Sequence, residues 1–211
     1  MAKKVKAKVG RILFTREQIQ ERLGSLAAEI QKRYASQELS VVAVLKGSLI
    51  FTADLVRRLE IPVRMDILEV RSYFDGTRPS EQMELSTYMV ENLRGRHVLV
   101  VDDIVDTGET LAKVLNVIRA HGPKSVAVCV FLDKTPRRRR EVPIDFRAFR
   151  MDADTFVVGY GLDYAQRFRN LPHLAELERP PEKPPKPKPA AGKRVAGRKP
   201  APKRGRPSSR R

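Results

Sequence analysis

Apolar positions along the chain follow two rhythms. Ile19, Leu23, Leu26 and Ile30 recur at steps of three and four behind Thr15, and Gln18 completes a capping box with it. That pattern predicts an amphipathic helix from Arg16 to about Tyr34. Val41-Val-Ala-Val-Leu45 is instead a continuous β-branched run of the kind buried on both faces of a parallel sheet. A second helical pattern follows from Leu49 to Leu59. The alternation then repeats. Val98 to Val101 reads as a strand, Leu111, Leu115 and Ile118 mark a helix that Gly122-Pro123 ends, and Val126 to Leu132 and Thr155 to Val158 read as strands. Strand, polar loop, helix, strand predicts an α/β fold with an open, mostly parallel sheet flanked by helices. Asp66 to Val70 and Leu85 to Val90 flank a polar stretch, Arg71 to Glu81, expected to be a long mobile loop between antiparallel strands. No internal repeat is visible.

Charge divides the chain in two. Of a formal net charge of +17 over 211 residues, the last 33 carry 13 Lys/Arg against Glu182 alone, which is +12. Residues 1–178 carry 29 basic and 24 acidic residues, which is +5. Nine prolines alternate with Lys, Arg, Ala and Gly from Arg179 onward, so 179–211 is expected to be a disordered basic tail behind one domain spanning 1–178. The lone Cys129 lies in an apolar run and reads as a small buried hydrophobe. No window approaches the roughly 18 apolar residues of a membrane span. The expectation is a cytoplasmic protein with no membrane partner.

Chemistry concentrates after the Val98 strand. Asp102-Asp103-Ile-Val-Asp106-Thr107-Gly108-Glu109-Thr110 places three acids within five positions. In such a sheet, ligands bind beyond the carboxyl ends of the strands. Adjacent carboxylates repel unless a cation or a polyhydroxyl ligand offsets the repulsion. Asp106 to Thr110 adds a glycine, hydroxyls and successive N–H groups at a helix start, which makes an anion cradle suited to a phosphate monoester. A metal-bound, phosphorylated sugar fits both halves. His97, His121 and His173 have no ligand spacing.

This segment resembles the signature of the type I phosphoribosyltransferases: four apolar residues, two acids, two apolar residues, then Asp-Thr-Gly. The stretch from about Phe14 to Leu177 resembles the hypoxanthine-guanine branch of that family. The resemblance implies a Rossmann-like sheet with a small hood region, and transfer of the phosphoribosyl group from phosphoribosyl pyrophosphate to purine N9. In it Asp102 and Asp103 would engage ribose hydroxyls and metal, with Asp163 a further ligand of Mg²⁺. Asp106, Thr107, Gly108 and Thr110 would hold the 5′-phosphate, and Asp106 would also be the catalytic acid/base facing purine N7. Lys46 and Gly47, in Leu45-Lys-Gly-Ser48, resemble the pyrophosphate loop, where the family often has a cis bond between Leu45 and Lys46. Arg169 matches a pyrophosphate-binding arginine. Ser72 and Tyr73 resemble the start of a catalytic lid. Lys134 matches the lysine that binds the C6 oxygen, Phe156 would stack on the purine, and Val157 would offer backbone groups to it. Partners so implied are hypoxanthine, guanine and phosphoribosyl pyrophosphate, with assembly as a homodimer or homotetramer.

Two features depart from the pattern. Glu109 is an acid beside a phosphate and must point away, and Arg137 to Arg140 read as a solvated basic loop. In the tail, Lys203-Arg204-Gly205-Arg206-Pro207 resembles an AT-hook core that would lay Arg204 and Arg206 in the minor groove of A·T-rich DNA. Its charge alone predicts salt-sensitive, nonspecific nucleic-acid binding. The alternative to an enzyme is an RNA- or DNA-binding regulator on the same scaffold. Asp106, Lys134 and the segment from Phe156 to Asp163 favour purine chemistry.

Overall fold

The computed structural model describes residues 7–75, 78–88 and 92–178, with 71–75 and 78–88 described through their backbone alone. In chain order the elements are β1 (Lys8–Phe14), α1 (Arg16–Arg33), β2 (Leu39–Leu45), α2 (Leu49–Val56), β3 (Val63–Asp75), β4 (Arg78–Tyr88), β5 (His97–Val105), α3 (Glu109–Ala120), β6 (Ser125–Lys134), β7 (Phe146–Met151), β8 (Val157–Val158) and β9 (Leu174–Glu178). Six strands form one sheet in the order β4-β3-β2-β5-β6-β7. Five of them are parallel, and β4 returns antiparallel along β3.

The continuous apolar runs are explained by helices on both faces. Leu99 and Val101 pack with Ile19, Leu23 and Leu26 of α1 and Phe51 and Leu55 of α2. Val98 and Val100 pack with Leu111, Leu115 and Ile118 of α3. Neither face of β5 meets water, so the period of two disappears from its sequence. Cys129 lies fully buried in the first of these clusters. The start of α1 is held as its pattern predicts: Gln18 N–H donates to Thr15 Oγ1 at 3.3 Å, and Thr15 N–H donates to Gln18 Oε1 at 2.8 Å.

Chain order reverses between β2 and β5. From β2 the chain crosses through α2 to β3 on one side; from β5 it crosses through α3 to β6 on the other. The carboxyl ends of β2 and β5 therefore flank the crevice where α/β sheets bind ligands. A second, three-stranded antiparallel sheet, β1-β9-β8, accounts for the small hood region.

The strands β1, β7 and β9 answer to no expectation from the apolar pattern. Their half-exposed sequences carry charged residues through the alternation, as in Phe146-Arg-Ala-Phe-Arg-Met151. The expected loop from Arg71 to Glu81 is also corrected: Arg71–Asp75 and Arg78–Glu81 are strand, paired Arg71 with Glu84 and Ser72 with Met83. Antiparallel pairing draws on backbone groups, so polar side chains do not prevent it. Helix α2 ends at Val56, short of Leu59.

Candidate active site

The crevice is built around β5. The strand runs on to Val105, so Asp102 and Asp103 lie within it and not beyond it. Asp102 is only 5% exposed, and its Oδ1 accepts the Asp103 N–H at 3.0 Å. Burial, reinforced by the neighbouring Asp103 charge, pushes the Asp102 carboxyl well above the usual carboxylate range. Burial also raises Asp103, against hydrogen bonds and the Arg169 charge that favour its ionised form. Gly47, just after the end of β2, closes on this pair. A β-carbon on Gly47 would lie 1.5 Å from Asp103 Oδ2, so no larger residue fits without moving the acid. The Leu45–Lys46 peptide is cis, and Lys46 is exposed.

Two cavities open beside the acids. One of about 170 Å³ is lined by Ile104, Val105, Asp106, Thr107, Gly108, Thr110 and Leu111. It lies at the start of α3, where the sequence leads one to expect an anion cradle. Glu109 is exposed and absent from its walls, as a phosphate site requires. Gly108 has φ +84°, and a β-carbon there would stand 2.2 Å from the Arg140 carbonyl oxygen, so only glycine suits the turn.

The other cavity, about 260 Å³, shares Ile104 and Asp106 with the cradle. Lys134, Phe156, Val157, Asp103 and Asp163 are among its walls. Lys134, Phe156 and Asp106 thus line one chamber. The Lys134 ammonium lies 3.2 Å from Asp154 Oδ1, and the Phe156 ring meets Tyr164 edge-on at 5.7 Å between centroids.

The loop after β6 is solvated at Arg137, Arg139 and Arg140, as expected, but not at Arg138. Arg137 Nη1 lies 3.3 Å from Asp106 Oδ2, and Arg137 lines the larger cavity. The Arg138 side chain is 10% exposed and pairs with the buried Asp133 at 2.6 Å. The Arg139 and Arg140 N–H groups both donate to the Thr107 carbonyl at 3.0 Å. No local sequence signal marks these contacts, because most of their partners are backbone carbonyls. Ile104 and Leu162 line the larger cavity from within the acidic segment and the segment from Phe156 to Asp163, while Asp154 also lines it and no motif in the sequence points to it.

Arg169 and Asp163 are paired with each other. Arg169 Nη2 lies 2.5 Å from Asp163 Oδ1, while its Nη1 donates to the Gly161 carbonyl at 2.6 Å. Asp163 also accepts the Gln166 N–H at 2.8 Å. As for metal, Asp103 and Asp163 line the larger cavity and Asp102 does not. Among the described residues no three His, Cys, Asp or Glu side chains form a group able to hold an ion. The two carboxylates that line the cavity, Asp103 and Asp163, are donors a hard divalent cation can take while completing its shell with water and phosphate oxygens. The side chains of Ser72 and Tyr73, and the tail residues Arg204 and Arg206, lie outside the described residues. Among the described residues no helix is long and apolar enough to cross a membrane.

Comparison with known proteins matches this architecture. Residues 13–165 match the family described as "Phosphoribosyl transferase domain". A hypoxanthine phosphoribosyltransferase of Salmonella typhimurium is 38% identical over 168 residues, covering 79% of this chain and 94% of the relative. A crystal structure of a hypoxanthine-guanine phosphoribosyltransferase from Bacillus anthracis superposes with a TM-score of 0.76 at 35% identity, covering 82% of this chain and 99% of that one. A Trypanosoma cruzi hypoxanthine phosphoribosyltransferase complexed with its product IMP superposes with a TM-score of 0.74 at 35% identity, covering 81% and 91%.

Proposed function

The chain belongs to the phosphoribosyl transferase family, and from that membership we propose that it is a purine salvage enzyme. It transfers the 5-phosphoribosyl group from phosphoribosyl pyrophosphate to N9 of hypoxanthine or guanine, giving IMP or GMP and pyrophosphate. One observation carries this reading. A cavity with a cation and an aromatic ring in its walls adjoins a phosphate cradle, and Asp106 belongs to both.

In the reaction the C1′–O bond to pyrophosphate breaks, the C1′–N9 bond forms, and a proton leaves the purine. Thr107, Gly108 and Thr110 would hold the 5′-phosphate through N–H and hydroxyl donors at the head of α3. Lys134 would donate to O6, which selects 6-oxopurines over adenine, whose amino group also donates. Phe156 would stack on the base, with Val157 at its edge. Asp106 would take up the purine proton at N7. Charge developing on the sugar would be offset by Asp103, which lines the larger cavity, with Asp102 buried beside it in the strand. Lys46, Gly47 and Arg169 would receive the pyrophosphate, and Ser72 and Tyr73 would begin the cover that keeps water out. A divalent cation belongs to this chemistry. Asp103 and Asp163 would hold this cation, which we assign as Mg²⁺, and it would supply positive charge against that of the leaving pyrophosphate.

The test is an assay of the purified chain with Mg²⁺, phosphoribosyl pyrophosphate and each of hypoxanthine, guanine, xanthine and adenine. IMP and GMP should form with release of pyrophosphate, and AMP should not. No nucleotide from any 6-oxopurine would remove the reading. The regulatory alternative has no counterpart among these relatives. Two further assignments rest on sequence: assembly as a dimer or tetramer follows from the resemblance, and salt-sensitive nucleic-acid binding by 179–211 follows from its charge.

A further inference from the structure

One guanidinium joins the two halves of the site. Arg138 Nε donates to the Asp106 carbonyl at 3.1 Å, and Nη2 donates to the Val105 carbonyl at 3.1 Å. The same Nη2 reaches the Lys134 carbonyl at 3.3 Å and Asp133 Oδ1 at 2.6 Å. Val105 and Asp106 line the phosphate cradle, and Lys134 lines the larger cavity. Asp106 and Arg138 are 32 residues apart in sequence, so the link between them is through space.

Arg138 is itself firmly set. Asp133, 5% exposed at its side chain, holds it from one oxygen and takes Arg147 Nη1 at 2.8 Å on the other. The following residues close the same seam: the Arg139 and Arg140 N–H groups donate to the Thr107 carbonyl, and the Arg140 carbonyl fills the space beside Gly108. A planar guanidinium presents donors in a rigid fork, so it fixes the relative positions of the groups it touches. A lysine ammonium is a single point on a flexible stem, and it cannot hold the same carbonyls in register.

We propose that Arg138 is a positioning residue that couples the phosphate cradle to the purine lysine, so that an occupied cradle raises the affinity of the site for the base. Occupancy orders the turn from Val105 to Thr110, and the fork passes that order to Lys134. The inference rests on the proposed reaction and adds to it a residue that touches neither sugar nor base.

The test compares binding of IMP and inosine to the full chain in the presence of Mg²⁺, by calorimetry, alongside steady-state turnover. The variants are Arg138→Lys and, should that one not fold, Asp133→Asn, which removes the carboxylate that holds the fork against those carbonyls. In the wild type the 5′-phosphate should tighten binding strongly. In the variants the IMP-to-inosine affinity ratio should shrink about tenfold, and kcat should fall about 10- to 100-fold, the scale of a small misplacement of reacting groups. Arg147→Met, which breaks only the outer bridge to Asp133, should keep both ratio and kcat within about twofold while lowering the thermal midpoint. A folded Arg138→Lys or Asp133→Asn protein with an unchanged ratio overturns the coupling. A wild-type chain that binds no IMP removes the reaction itself, and the coupling with it.

Discussion

Gly47 and Asp103 touch across the crevice between β2 and β5, with no room between them for a methyl group. Gly47→Ala should therefore displace the Asp103 carboxylate and cost kcat/KM on the order of 100-fold. Folding should be disturbed far less, since the clash falls on a side chain at the rim of the sheet. Steady-state kinetics paired with a thermal melt separates the two; a near-wild-type kcat/KM would mean the acid has no part in the reaction.

Asp106 is the shared wall of the two cavities. Asp106→Asn keeps its size and removes its capacity to accept a proton. Turnover should fall by about 10²- to 10⁴-fold, the range for loss of a general acid/base. IMP binding should survive, since the cradle's N–H groups are untouched. Unchanged turnover would withdraw the role given to Asp106.

Much of this chemistry is legible in the sequence because it is local. Asp102, Asp103, Asp106, Thr107 and Gly108 occupy one strand end and one turn, and adjacency in sequence is adjacency in space there. Lys134 and Phe156 are reached only through resemblance, because nothing in their own neighbourhoods says that they meet Asp106. Arg138 misleads for a different reason. Its side chain answers mostly to carbonyl oxygens, which every residue has, so its four-arginine run looks like any solvated basic stretch. The strands β1 and β9 escape the apolar pattern because half-buried hood strands carry charge where a core strand carries valine.

Tyr160 ties this hood segment to α2: its hydroxyl donates to Asp54 Oδ2 at 2.7 Å. Burial pushes Asp54 up, but the Tyr160 hydroxyl and Arg57 outweigh it and hold the carboxyl below its ordinary value of 3.8. A carboxyl lowered in the folded state stabilises above its ordinary value, and that contribution is lost as pH falls through the folded value. Tyr160→Phe should cost about 1 kcal/mol near neutral pH. The difference from wild type should narrow as acid titrates Asp54. Denaturant melts at neutral pH and near pH 3 provide the measurement, and a gap that widens in acid would contradict it.

Removing residues 179–211 takes away +12 of the formal +17 charge and none of the residues of the two cavities. Turnover should stay within about twofold of the full chain, as for a change remote from the site. Retention on DNA at low salt should disappear, and in the full chain it should weaken steeply with added salt. A truncated protein that binds DNA as well as the full chain would move the nucleic-acid surface elsewhere.

The burial of Cys129 within β6 makes the chain its own unfolding gauge. Its thiol is fully enclosed, and burial raises its pKa far above the normal thiol range, so the reactive thiolate is suppressed twice over. Alkylating reagents should pass the native protein by and mark it only when the central sheet comes apart. The rate of modification then counts global openings, one thiol per molecule, with no engineered label needed.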